Sequence, residues 1–154
     1  MSSKAALLDR IRESLNQRLD RLTLAARDAH AAATDPGSKA ESKYDTRSLE
    51  ASYLASGQAK QVEDAADAVG LFASLSLPDF KMDEPIDAGA LVELDLDGET
   101  SFFLLVPAAG GVTIEDEGRE ITLLTPASGL YQKLLGCKVG DSIDDPDALI
   151  TEVA

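Results

Sequence analysis

Asp35, Glu41 and Asp45 are the carboxylates whose placement most invites chemistry, three hard oxygen donors within eleven residues between two long helical patterns. Such donors suit Mg²⁺, which takes carboxylates together with water and substrate oxygens. Two or three carboxylates on a loop hold Mg²⁺ weakly, so Glu41 and Asp45 would be metal ligands only beside a partner that completes the site. Asp and Glu are also ordinary residues of turns and helix starts, and a solvated turn accounts for the same positions. Nucleophilic chemistry is poorly provided for. His30, the single histidine, falls in the first predicted helix and Cys137, the single cysteine, in the second half of the chain, so a Ser-His-Asp or Cys-His arrangement is not in view. A helix-surface histidine and a half-buried structural cysteine suffice to explain them. No Cys/His cluster suits zinc, no GxxxxGK[ST] or GxGxxG run would cradle a nucleotide, and Gly110-Gly111 reads as a loop pair.

The elements that must carry the three carboxylates are helical. Leu8, Ile11, Leu15, Leu19, Leu22, Ala26, Ala29 and Ala33 recur at steps of three or four, with charged and amide residues between them and no Pro or Gly from about Lys4 to Ala33. A helix of ~30 residues is ~45 Å long. Thr34-Asp35-Pro36-Gly37 ends it, because Pro36 disfavours helical geometry in the residue before it. Ala51, Ala55, Gln58, Val62, Ala65, Val69 and Phe72 then form a second stripe of the same spacing. Two such stripes predict an antiparallel helical hairpin, a coiled coil, over residues 1–75, with its tip within Asp35–Asp45 and Thr46 or Ser48 as a cap.

Past Leu77-Pro78 the period changes. Pro78 and Pro85 mark a linker, 76–89, and in 90–154 alternation with period two predicts strands at Ala90–Leu96, Ser101–Val106, Val112–Ile114, Glu120–Leu124 and Ala148–Val153. Asp97-Gly98 and Glu117-Gly118 supply turns, so a small antiparallel sheet is expected. Ser128 as N-cap, Gly129–Leu135 as body and Gly136 as stop predict one short helix among the strands. The fold class is therefore α+β.

Charge divides along the chain. The net charge is −14. Residues 1–34 carry six Lys/Arg against four Asp/Glu, residues 35–75 four against seven, and residues 76–154 four against seventeen. The last region repels phosphate backbones and anionic lipid, which argues against direct DNA binding and membrane association there. A lone cysteine, charged residues where a signal peptide needs an apolar run, and no stretch near ~20 apolar residues lead to the expectation of a cytoplasmic protein.

Ile121-Thr122-Leu123-Leu124-Thr125-Pro126-Ala127-Ser128-Gly129-Leu130-Tyr131-Gln132-Lys133-Leu134-Leu135-Gly136-Cys137-Lys138-Val139-Gly140-Asp141 resembles the C-terminal signature of the Gre family of bacterial transcription elongation factors. The upstream hairpin is similar to that family's N-terminal coiled coil. The resemblance implies an FKBP-like β domain that docks on RNA polymerase while the hairpin enters the secondary channel. There the tip acids would share a Mg²⁺ with the polymerase active site, and the polymerase would cleave the backtracked RNA 3′ end. It also implies that the chain binds no cofactor alone and is not itself an enzyme, and a helical seam satisfied within one chain leads to the expectation of a monomer.

The tip departs from the family pattern D-x-x-E-N-x-E-Y. Asp35 is followed three residues on by Ser38, and Asp45 by Ser48, while the alignment of Lys39–Tyr44 with K-E-N-A-E-Y puts Ala40 and Lys43 at acid positions. A non-cleaving regulator of the polymerase is therefore the alternative. Tyr44 and Tyr53 could stack on an RNA base or pack locally. Arg10, Arg12, Arg18, Arg21 and Arg27 read as a solvated face opposite the apolar stripe. Two other classes compete. A peptidyl-prolyl isomerase needs clustered aromatics, yet adjacent Phe102 and Phe103 should point to opposite faces of a strand. A dimeric coiled-coil adaptor would double the 16.2 kDa mass in solution.

Overall fold

α1, Lys4–Thr34, and α2, Thr46–Ala73, occupy the two stretches where apolar residues recur at helical spacing. The computed structural model describes the backbone of residues 3–34 and 46–154 and the side chains of residues 3–28 and 57–154. Along α1 the stripe buries Leu8, Ile11 and Leu15 and half-buries Leu19, Leu22 and Ala26, while Arg18, Arg21 and Arg27 face solvent. Along α2, Gln58, Val62, Ala65 and Val69 are half-buried and Phe72 fully buried, with Lys60, Glu63, Asp64 and Asp67 outside. Burial thus follows the 3.6-residue period on both helices.

Two compact units form, one from Arg12–Ala73 and one from Met1–Ile11 together with Ser74–Ala154. Within the first, the helices run antiparallel as a hairpin. Arg12 near the start of α1 donates from Nε to the carbonyl of Phe72 at 2.8 Å and from Nη2 to that of Ala73 at 3.4 Å. Its guanidinium occupies carbonyls that the end of α2 leaves without intrahelical partners. Arg12 therefore does not belong to the solvated face that its spacing suggests.

The second unit is built on a six-stranded sheet of order β3-β4-β2-β1-β6-β5. The strands are β1 Leu91–Leu96, β2 Glu99–Leu105, β3 Thr113–Asp116, β4 Arg119–Leu124, β5 Ser142–Ile143 and β6 Ala148–Val153. Hairpins join β1 to β2 through Asp97-Gly98 and β3 to β4 through Glu117-Gly118, all four residues having positive φ, as primed hairpin turns demand. One pairing departs from the expected antiparallel sheet, since β2 and β4 are parallel, with Phe102 opposite Ile121 and Leu104 opposite Leu123. β3 is the reason. It returns the chain along the outer edge, and the β3–β4 hairpin then folds β4 inward against β2, which makes residues 106–118 a crossover long enough for a parallel pair.

Alternation sorts the side chains onto two faces. Val92, Leu94, Leu105, Leu124, Ile150 and Val153 join Ile86, Tyr131 and Leu134 in the main core, with Tyr131 and Leu134 supplied by α3, Gly129–Leu134. Leu104, Ile114, Ile121 and Leu123 are buried on the opposite face. Leu7, Leu8 and Ile11 from the opening of α1 are buried in the same unit, where Lys4 and Arg10 tie that segment to residues 78, 89 and 116. The sheet is therefore covered on both sides.

Candidate functional site

Asp35, Glu41 and Asp45 lie outside the described residues, as does Tyr44. The side chains of His30 and Tyr53 do as well, although both residues belong to described helices. Among the described residues no group of three or more His, Cys, Asp or Glu is arranged to hold a metal ion. No described helix is long and apolar enough to cross a membrane.

The C-terminal signature can be followed atom by atom, and its spacing has a structural cause. β4 delivers the chain to Ser128, which stands at the N-cap of α3 with extended backbone but gives no side-chain cap hydrogen bond. Gly136 follows the helix with φ +81°, its N–H donating to the Ile86 carbonyl at 2.9 Å while the Ile86 N–H donates to the Cys137 carbonyl at 2.8 Å. A left-handed residue ends the helix, and this exchange stitches residues 86–89 to the motif. Gly140 has φ +93° and donates to the Ile150 carbonyl at 2.8 Å, and the Asp141 carboxylate accepts from the Lys138 N–H at 2.8 Å. Gly136, Gly140 and Asp141 thus shape one turn-rich segment that locks α3, the linker and β6 together.

Cys137 is half-buried in that segment, and its thiol lies 3.3 Å from the Lys133 carbonyl as a donor. Burial, and then Asp141, push the thiol pKa up, which is the wrong direction for a nucleophile. Burial and Asp87 likewise raise the phenol of Tyr131. Among the described aromatics, Tyr131 lies in the main core with Phe80 and Phe103 packed against it, whereas the Phe102 ring lies on the other face with the Arg119 guanidinium 5.2 Å from its centroid.

Three polar residues escaped the sequence reading. Asp116, fully buried, accepts from Arg119 Nη2 at 3.1 Å and pairs with Arg10 Nε at 3.3 Å. Arg10, 51% exposed, keeps to the solvated face while its guanidinium reaches Asp116. Lys4, 9% exposed, donates to the carbonyls of Pro78 at 2.7 Å and Gly89 at 2.6 Å and sits 4.7 Å from the Phe80 ring centroid. The only sequence signal for any of them is that Asp116 shares the inward parity of Ile114 on a short strand.

Burial pushes the Lys4 amine down to about 8, against the upward pull of Asp79. Below pH 8 the amine is charged in both folded and unfolded chains, and the folded state bears the full desolvation cost. Between pH 8 and the unfolded value near 10.5 the unfolded chain holds the extra proton, so folding gains from rising pH. Relative to Lys4→Met, the native protein should gain on the order of 2–3 kcal/mol of stability from pH 7 to pH 10.5, by urea unfolding at each pH. The comparison cancels the opposite contributions of Tyr131 and Cys137. A difference independent of pH would mean that Lys4 keeps its proton.

No protein-family model and no curated protein matches the chain. Among solved structures it is similar to GreA factor homolog 1, Gfh1, of Thermus thermophilus, with 22% identity over 93% of this chain and 94% of that one at TM-score 0.38. Gfh1 of Thermus aquaticus shares 20% identity over 92% of each chain at TM-score 0.37. A further structure, of the transcription factor Gfh1, shares 23% over 92% of each chain at TM-score 0.36.

Proposed function

We propose that this protein is a Gre-type transcription factor that binds RNA polymerase in the cytoplasm. Its helical hairpin, packed as a coiled coil, carries residues 35–45 into the secondary channel, and its anionic FKBP-like unit holds the polymerase from outside. This extends to the chain what the names of the similar structures say of those proteins. The observation that carries the assignment is the signature Ile121–Asp141, whose glycines and aspartate form the turn-rich clasp around α3, in a chain that opens with two long helices. Asp35, Glu41 and Asp45 act there as donated ligands for a Mg²⁺ of the polymerase. A second reading, a regulator that occupies the channel without promoting RNA cleavage, is favoured by one observation. Ser38 and Ser48 stand where an Asp-x-x-Glu pair would place its glutamate.

An iron chelate attached to Ala40→Cys, in a Cys137→Ser background, tests the placement. On purified bacterial RNA polymerase it is expected to cut polymerase chains next to the catalytic centre. Failure to co-elute with polymerase overturns the partner, and co-elution without cuts near that centre overturns the insertion.

A further inference from the structure

The face of the sheet away from the main core holds a cavity of about 180 Å³. Strand register fixes its floor. Phe102 of β2 lies directly opposite Glu93 of β1, which lies directly opposite Glu152 of β6, so the three form one row across neighbouring strands. Arg119 of β4 flanks the Phe102 end of the row, and Lys4 and Asp79 complete the lining.

Packing alone leaves the opposed carboxylates of this row unexplained. Glu93 and Glu152 are like charges at directly opposed positions, an arrangement that destabilises a sheet, and neither is ion-paired among the described residues. The β1–β6 pairing shifts register beside Glu93, and the Thr151 hydroxyl there lies 2.9 Å from Glu93 Oε2, which holds that carboxylate in place. Lys4, in turn, is a buried cation with two N–H groups on carbonyls, beside the Phe80 ring and under the pull of Asp79.

Arg119 therefore stands at the Phe102 end of this row and two carboxylates at the other, while Lys4 and Asp79 add an opposite pair to the lining. We propose that this cavity binds a small linear zwitterion, its carboxylate toward Arg119, its ammonium between Glu93 and Glu152, and its methylenes over Phe102. The strand carrying Arg119 and the strand carrying Glu93 are two spacings apart, roughly 10 Å. That span suits a ligand with charges several bonds apart better than an α-amino acid with both on one carbon. The volume admits a molecule of amino-acid size.

Titration of the ¹⁵N-labelled full chain with 6-aminohexanoate, hexanoate and hexylammonium tests the assignment. 6-Aminohexanoate is expected to shift the amides of Phe102, Glu93 and Glu152 saturably, with each singly charged analogue at least ~10-fold weaker. Glu93→Gln/Glu152→Gln should weaken 6-aminohexanoate ~10-fold and leave hexanoate unchanged. Equal binding of hexanoate reduces the site to an anion pocket, equal binding of hexylammonium reduces it to a cation pocket, and no saturable shift up to about 10 mM leaves no site. Each of these overturns the proposal, and the analogue comparison decides even if the double variant does not fold.

Discussion

Arg119→Leu is expected to lower the unfolding free energy by about 3 kcal/mol, read from urea denaturation, because it strips a buried carboxylate of a guanidinium partner. The Asp116 side chain is fully buried, whereas that of Arg119 is 21% exposed and that of Arg10 51% exposed. Desolvation of Asp116 is thus already complete, and the cost of losing a partner falls on an anion that cannot return to water without unfolding β3. Arg119 also covers the Phe102 ring, a contact that leucine does not reproduce. Arg10→Met should cost only about 1 kcal/mol, since Arg10 is half in solvent and Arg119 still holds the other carboxylate oxygen. The double variant should lose more than the two single losses together, because Asp116 then faces the interior without either guanidinium. Additive losses would show that the carboxylate is solvated independently of both arginines.

The helices and most strands were legible because burial on one face leaves a period in the sequence. Leu8, Ile11 and Leu15 alone mark which side of α1 turns inward, and Val92 and Leu94 do the same for β1. The parallel pairing of β2 with β4 was not legible, since Phe103 and Leu105 alternate in the same way whichever direction the neighbouring strand runs. β5 was missed for a simpler reason, being two residues long and too short to show a period. The tethers of Arg10 and Arg12 were not legible because their partners lie 105 and 60 residues away, at Glu115 and Phe72, and nothing in the local pattern distinguishes a tethered arginine from an untethered one. Lys4 carried no signal either. Its carbonyl partners are backbone atoms of Pro78 and Gly89, and backbone groups are present at every position. The candidate tip acids were found by residue type and by position between two helices, and they lie outside the described residues.

The largest functional effect is expected at those acids. If the protein donates ligands to the polymerase Mg²⁺, then Asp35→Ala, Glu41→Ala and Asp45→Ala together should leave polymerase affinity within about twofold while RNA fragment release from backtracked complexes falls by roughly 10²-fold. The separation follows from the division of labour. On that reading the sheet-bearing unit and the helix faces would hold the polymerase, and three short side chains would add little to that contact. Metal-assisted cleavage, by contrast, depends on oxygen donors placed to better than about 1 Å. Full cleavage stimulation by the triple variant would remove the tip-carboxylate mechanism. If the native protein binds and releases no fragments, the missing glutamate is the physical reason, and Ser48→Glu, which restores an Asp-x-x-Glu pair with Asp45, should then produce cleavage where there was none. A bound but inactive Ser48→Glu variant would show that acid spacing is not what withholds the reaction, and that the hairpin acts by occupying the channel.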